Sequence, residues 1–196
     1  RGLGDVYKRQ VEVHSQIQLQ KPFDAVVSER RTYPITEDEP EEKHTYLSYN
    51  KVVGTVLDRE LYQAFSVLDY VLVSAPGAPV RQALIDAGIG EDVYGSFEDG
   101  MLQPMFSIVA KNADESDQTR FVQIIEETLQ KLVKEGLNQD SLLAGINSAE
   151  FRFREADYGQ FPKGLLYGIQ CLDSWLYDEN KPFIHIELSL IHISEP

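Results

Sequence analysis

The chain holds a single cysteine, Cys171, among 196 residues. No intrachain disulfide can form, no thiolate cluster can hold a metal, and a reducing compartment is the expected setting. Long apolar runs are missing too: no stretch approaches the roughly 18 consecutive apolar residues that span a bilayer. Basic residues are scarce, 18 Lys and Arg against 32 Asp and Glu, for a formal net charge of −14. So acidic a surface repels phosphate backbones and anionic lipids. Neither nucleic acid nor membrane is expected as a partner, and neutral or basic partners are favoured. Histidine is rare. Apart from His192 near the C-terminus only His14, His44 and His185 occur, and no two stand four residues apart, so no helix presents a zinc-binding pair. A G-x-S-x-G elbow, a Walker loop and a dinucleotide glycine loop are all lacking, and "DAGIGED" reads as a helix stop.

What is present begins with two tails that answer each other. Read as the reverse complement of codons for Gly2 to Gln10, the segment Leu188 to Pro196 matches at nine consecutive pairs, from Gln10/Leu188 to Gly2/Pro196. The implied inverted DNA repeat resembles a transposon-type sequencing adapter. Residues 1–10 and 188–196 are therefore expected to be adapter remnants and are set aside from fold reasoning. The remaining 11–187 is expected to be cut from a longer protein. Removing Arg1, Asp5, Lys8, Arg9 and Glu195 leaves 15 basic and 30 acidic residues, so the acidity belongs to that part. With 42% apolar residues over the whole chain, it is globular and long enough for one core.

Residues 11–43 carry prolines at 22, 34 and 40 and five acids between Glu37 and Glu42, which predicts an extended connector with a short strand near Val26. A single domain is expected over 44–187. "HTYLSYNKVVGTV" alternates as a strand. A helix follows through Ala75, with Leu61, Phe65, Leu68 and Leu72 as its buried stripe, Asp58 as N-cap and "PGAP" as its stop. A short helix ends at Gly88. "DVYGSFEDG" and "QPMFSIVAKNA" predict a hairpin. The next helix places Phe121, Ile124, Ile125, Leu129, Leu132 and Val133 on one face and closes at Gly136. Another is capped by Asn138, with Leu142, Ile146, Ala149 and Phe153 as its stripe, and a last one follows "DYGQFP", in which Gly164 and Gly168 are expected to allow close packing. The order, strand-helix-strand-strand-helix-helix in outline, predicts an α+β two-layer domain with an antiparallel or mixed sheet and helices on one face.

Carboxylates give the only chemical candidates. Glu126 and Glu127 adjoin on one helix, and Glu150 and Glu155 flank "FRFR" with Arg152 and Arg154. An acid–base pair needs two carboxyls in differing environments within a cleft, whereas adjacency alone fits a solvated helix face. No catalytic, cofactor-binding or metal-binding residue is assigned.

Three runs carry a resemblance: P-x-x-P-x-R-x-A-L-x-x-x-G-[IL]-G from Pro76 to Gly90, E-F-x-x-R-E from Glu150 to Glu155, and F-P-[KR]-G-L from Phe161 to Leu165. With the flanking segments, residues 45–178 resemble the presequence-protease branch of the pitrilysin and insulin-degrading zinc metallopeptidases. The resemblance implies four similar α+β domains closing around an unfolded peptide, with zinc held by an H-x-x-E-H motif in the first. This chain has no H-x-x-E-H, so none of those roles falls on its residues, and it is similar to the second, non-catalytic domain. The implied partners are an upstream catalytic domain, the downstream half of the same chain and an unfolded peptide. The implied setting is cytoplasmic in a bacterium, or the mitochondrial matrix in a eukaryote. Three other readings compete: a scaffold subunit of the same superfamily, a free-standing interaction module, and an independent enzyme built on Glu126 or Glu150. An H-x-x-E-H upstream of Val11 would decide among them.

Overall fold

The computed structural model describes residues 11, 13–37, 42–155 and 161–186, with the side chains of 152–155 left out of the description. Both tails, residues 38–41 of the acidic run, and the side chains of Arg152, Phe153, Arg154 and Glu155 lie outside the described residues. The chain runs β1 (Thr45–Val52), α1 (Arg59–Asp69), a π-helical turn (Tyr70–Ser74), α2 (Pro79–Asp86), β2 (Asp92–Glu98) and β3 (Met105–Ala113). After a 3-10 turn (Glu115–Asp117) come α3 (Gln118–Glu135), α4 (Gln139–Glu155) and α5 (Lys163–Trp175). The sheet is antiparallel throughout, in the order β1-β3-β2. It is an α+β domain, as expected.

Strand alternation sorts the sheet into two faces. Leu47 lies opposite Ala110, Tyr49 opposite Ile108, and Phe97 opposite Phe106, all on the helix side. Phe106, Ile108 and Ala110 join Val80, Leu84, Phe121 and Ile125 in the buried core, which places α2 and α3 beneath the central strand. On the other face Ser107 and Ser48 donate to Asn50 Oδ1, at 2.7 and 3.0 Å.

Helix ends follow their local signals. Asp58 Oδ1 accepts from the Leu61 amide at 3.1 Å, and Asn138 Oδ1 accepts from the Ser141 amide at 2.9 Å, satisfying donors the first turns leave free. At the end of α2 the Ile89 amide donates to Leu84 O and the Gly88 amide to Ile85 O, a Schellman closure. It needs the positive φ of 70° that Gly88 adopts.

Four expectations are corrected. No strand forms near Val26, which is 91% exposed within a connector lacking ladder partners. Val133 is 86% exposed, because the stripe that packs on the core runs through Leu129 and Leu132, and Val133 stands one residue round the helix from Leu132, on the solvent side. The helix expected to reach Ala75 becomes a π-helical turn at Tyr70, closed by the Ala75 amide on Tyr70 O at 2.8 Å. Its three consecutive apolar residues Val71, Leu72 and Val73 are all buried, which one stripe of an α-helix does not allow. Two glycines that permit close approach lie beside this turn, and neither Gly164 nor Gly168 in α5 does so. A β-carbon at Gly145 would stand 3.1 Å from Val71 Cγ2, and one at Gly95 would stand 3.1 Å from Val73 Cβ. Gly164 and Gly168 have open space.

Candidate functional site

Among the described residues, the carboxylates singled out in the sequence do not converge. Glu126, on α3, accepts a hydrogen bond from the Tyr49 hydroxyl at 2.6 Å. Glu127 instead accepts from Gln123 one turn back, at 2.8 Å. Burial, and then the hydrogen bond to Glu126, push the Tyr49 phenol far above its ordinary range, so it stays a proton donor at any physiological pH. This joins β1 to α3 as a structural pair, and Glu126 and Glu127 form no acid–base dyad. Glu150 is half-buried on α4, and its sequence partner Glu155 lies among the side chains outside the description.

The histidines are likewise dispersed in role. His14 is exposed in the connector, and His44 receives the Tyr33 hydroxyl on its backbone carbonyl. His185 is the exception. Only 2% exposed, it lies flat on the Tyr62 ring, with centroids 4.0 Å apart and planes 5° apart. Its Nε2 donates to the Val56 carbonyl at 2.8 Å, which fixes a hydrogen on that nitrogen because a carbonyl can only accept. Nδ1 is buried with no hydrogen-bond partner. Tyr62 in turn donates to Asp99 Oδ2 at 2.6 Å, in the turn between β2 and β3. Sequence reasoning passed over Tyr62, Asp99 and Asp173, because 37 residues separate Tyr62 from Asp99 and 129 separate Val56 from His185. No local spacing carries such a signal.

Asp173 on α5 completes this polar patch. Its carboxyl is held above the usual aspartate range, first by burial and then by the neighbouring Asp99 charge, with His185 acting in the opposite sense. A folded-state value raised above the unfolded one favours the native state when the carboxyl is protonated. That contribution is complete below the unfolded value and is lost as pH rises through the folded one. Asp173→Asn is therefore expected to raise the melting temperature at pH 7. The gain should fade on acidification toward the ordinary aspartate range, as a thermal melt series in pH would read. Equal melting curves at every pH would contradict it.

As a metal centre the described residues do not fit. His185 commits Nε2 to Val56, Cys171 is the only cysteine, and no group of three His, Cys, Asp or Glu is arranged to hold an ion among the described residues. Nor is any described helix long and apolar enough to cross a membrane.

Comparison with known proteins places this arrangement. Residues 3–148 match the family described as the Peptidase M16 inactive domain. Protein HypA of Clostridium perfringens is 41% identical over 176 residues, covering 90% of this chain and 18% of its own length. Presequence protease 1, chloroplastic/mitochondrial, of Arabidopsis thaliana is 34% identical over 166 residues, covering 84% of this chain and 15% of its own. The mitochondrial presequence protease of Xenopus laevis is 26% identical over 117 residues, covering 58% of this chain and 11% of its own. The chain thus spans less than a fifth of the length of these relatives. Among solved structures, the inactive peptidase domain of a candidate zinc protease from Bordetella parapertussis superposes with a TM-score of 0.61 at 13% identity. That superposition covers 75% of this chain and 78% of the other. A candidate zinc protease of Bordetella pertussis Tohama I gives 0.60, also at 13% identity, over 77% and 79%. These two similarities speak to the fold alone.

Proposed function

The chain belongs to the M16 peptidase inactive-domain family, related to the presequence proteases, and from that premise we propose that it serves as a wall and packing domain of a zinc metallopeptidase that degrades short unfolded peptides. The observation that carries the reading is the family match over three quarters of the chain, to a domain described as inactive. In this reading zinc and its activated water belong to a separate domain of the same polypeptide, and this domain shapes the enclosure. The net charge of −14 supports basic peptides as cargo, since a wall of one sign concentrates substrates of the other. The compartment follows the host, cytoplasm in a bacterium and mitochondrial matrix in a eukaryote.

One assay tests this. Fluorogenic peptides are offered to this chain, to the longer polypeptide of its gene, and to that polypeptide with the glutamate of an upstream H-x-x-E-H changed to glutamine. The expected result is cleavage by the longer polypeptide alone, abolished by a chelator, because only a metal-bound water supplies the nucleophile. Chelator-sensitive cleavage by this chain alone would overturn the wall assignment. An inactive longer polypeptide would leave a scaffold subunit in its place.

A further inference from the structure

Helix α5 carries its largest apolar side chains outward. On α5 and its C-cap the outward arc is Leu165, Gly168, Ile169, Leu172, Trp175 and Leu176, while the buried and half-buried side mixes Leu166, Tyr167 and Cys171 with the polar Gln170, Asp173 and Ser174. The five large apolar side chains on that arc are between 45% and 72% exposed, whereas Ser174 is fully buried. A surface helix ordinarily turns its apolar stripe inward and its charged residues toward water. Among the inner polar groups, Gln170 Oε1 is buried without a hydrogen-bond partner. Scattered apolar residues are ordinary on a surface, but a continuous stripe without one polar interruption marks a contact.

We infer that the outward stripe of α5 is a docking surface for an uncharged, apolar segment from the remainder of the same polypeptide. This rests on the reading that the chain is one domain of a longer peptidase. Two observations choose the occupant. The relatives are more than five times the length this chain covers, so ample chain of the same molecule stands ready to pack. The stripe itself carries no charge, in a protein of net charge −14. A charged partner surface would bury ions without counterparts, at a cost that an apolar helix or strand avoids.

Hydroxyl-radical footprinting of this chain and of the longer polypeptide tests the contact without reading catalysis. Oxidation at Leu172, Trp175 and Leu176 is expected to fall several-fold in the longer polypeptide. Ile169→Glu combined with Leu172→Glu should lower the melting temperature of the longer polypeptide and leave that of this chain unchanged, since both positions face water here. Equal oxidation in the two proteins, or an equal effect of the substitutions on both, overturns the inference. Protection that appears in this chain alone and grows with its concentration would assign the stripe to a second copy, and overturns it too. A longer polypeptide without peptidase activity but with a protected stripe would remove the functional reading and leave the contact standing.

Discussion

Phe121→Ala is expected to lower the unfolding free energy by about 3–5 kcal/mol, the usual range for deleting a buried phenyl ring from a packed core. Phe121 is 1% exposed in the first turn of α3 and belongs to the same buried cluster as Val80, Leu84 and Ile108, each with no exposure at all. Residues of α2, α3 and β3 thus share the buried cluster that holds the ring. Interiors pack like organic crystals and relax only partly around a deletion, so a cavity term adds to the lost transfer energy. In a domain of this size the fall in melting temperature is on the order of 10 °C. The matched control is Val133→Ala, on the same helix and 86% exposed, where the change should stay within about 0.5 kcal/mol. Chemical denaturation of both variants reads the contrast. Similar losses at the two positions would show that α3 docks in a different phase.

That contrast also shows what the sequence could and could not convey. Local signals held wherever the physics is local. Asp58 and Asn138 cap helices because their side chains reach amides three residues on, and Gly88 closes α2 because it accepts a left-handed conformation. Alternation in β3 is legible because its two faces differ in solvent. Non-local features were not legible. Periodicity put Val133 on the buried face, but only the position of the sheet decides where that face ends. Gly164 and Gly168 were the expected points of close approach. Gly95 and Gly145 fill that role instead, because they flank the π-helical turn in space. The central place of β3 could not be read either, since β1 pairs with it across two helices. For function, the family resemblance spoke where isolated residues could not: Glu126 and Glu127 read as adjacent acids, and only the fold separates them, by bonding one to Tyr49.

His185→Ala is expected to cost about 2–4 kcal/mol, from a cavity beneath the Tyr62 ring and from a buried acceptor left without its donor. Val56 has no solvent exposure, so its carbonyl cannot turn to water once the imidazole is gone. The stack on Tyr62 is lost with the ring. Because Val56 and His185 lie 129 residues apart, their bond ties the end of the described chain to the segment entering α1. Loss of stability should therefore appear first as faster amide exchange around residues 178–186. Tyr62→Phe keeps an aromatic face for the histidine and removes only the hydroxyl bond to Asp99, so a smaller loss is expected. A double-mutant cycle of His185→Ala with Tyr62→Ala, which does remove the ring, should give a coupling energy clearly different from zero, since the rings stack. Zinc titration of the same proteins, with the extra His192 removed from each, separates structure from chemistry. With Nε2 held by a carbonyl and no companion ligands arranged among the described residues, both proteins should bind zinc equally weakly. A tight stoichiometric site that vanished with His185 would make the residue a ligand and undo its assignment as a structural clasp.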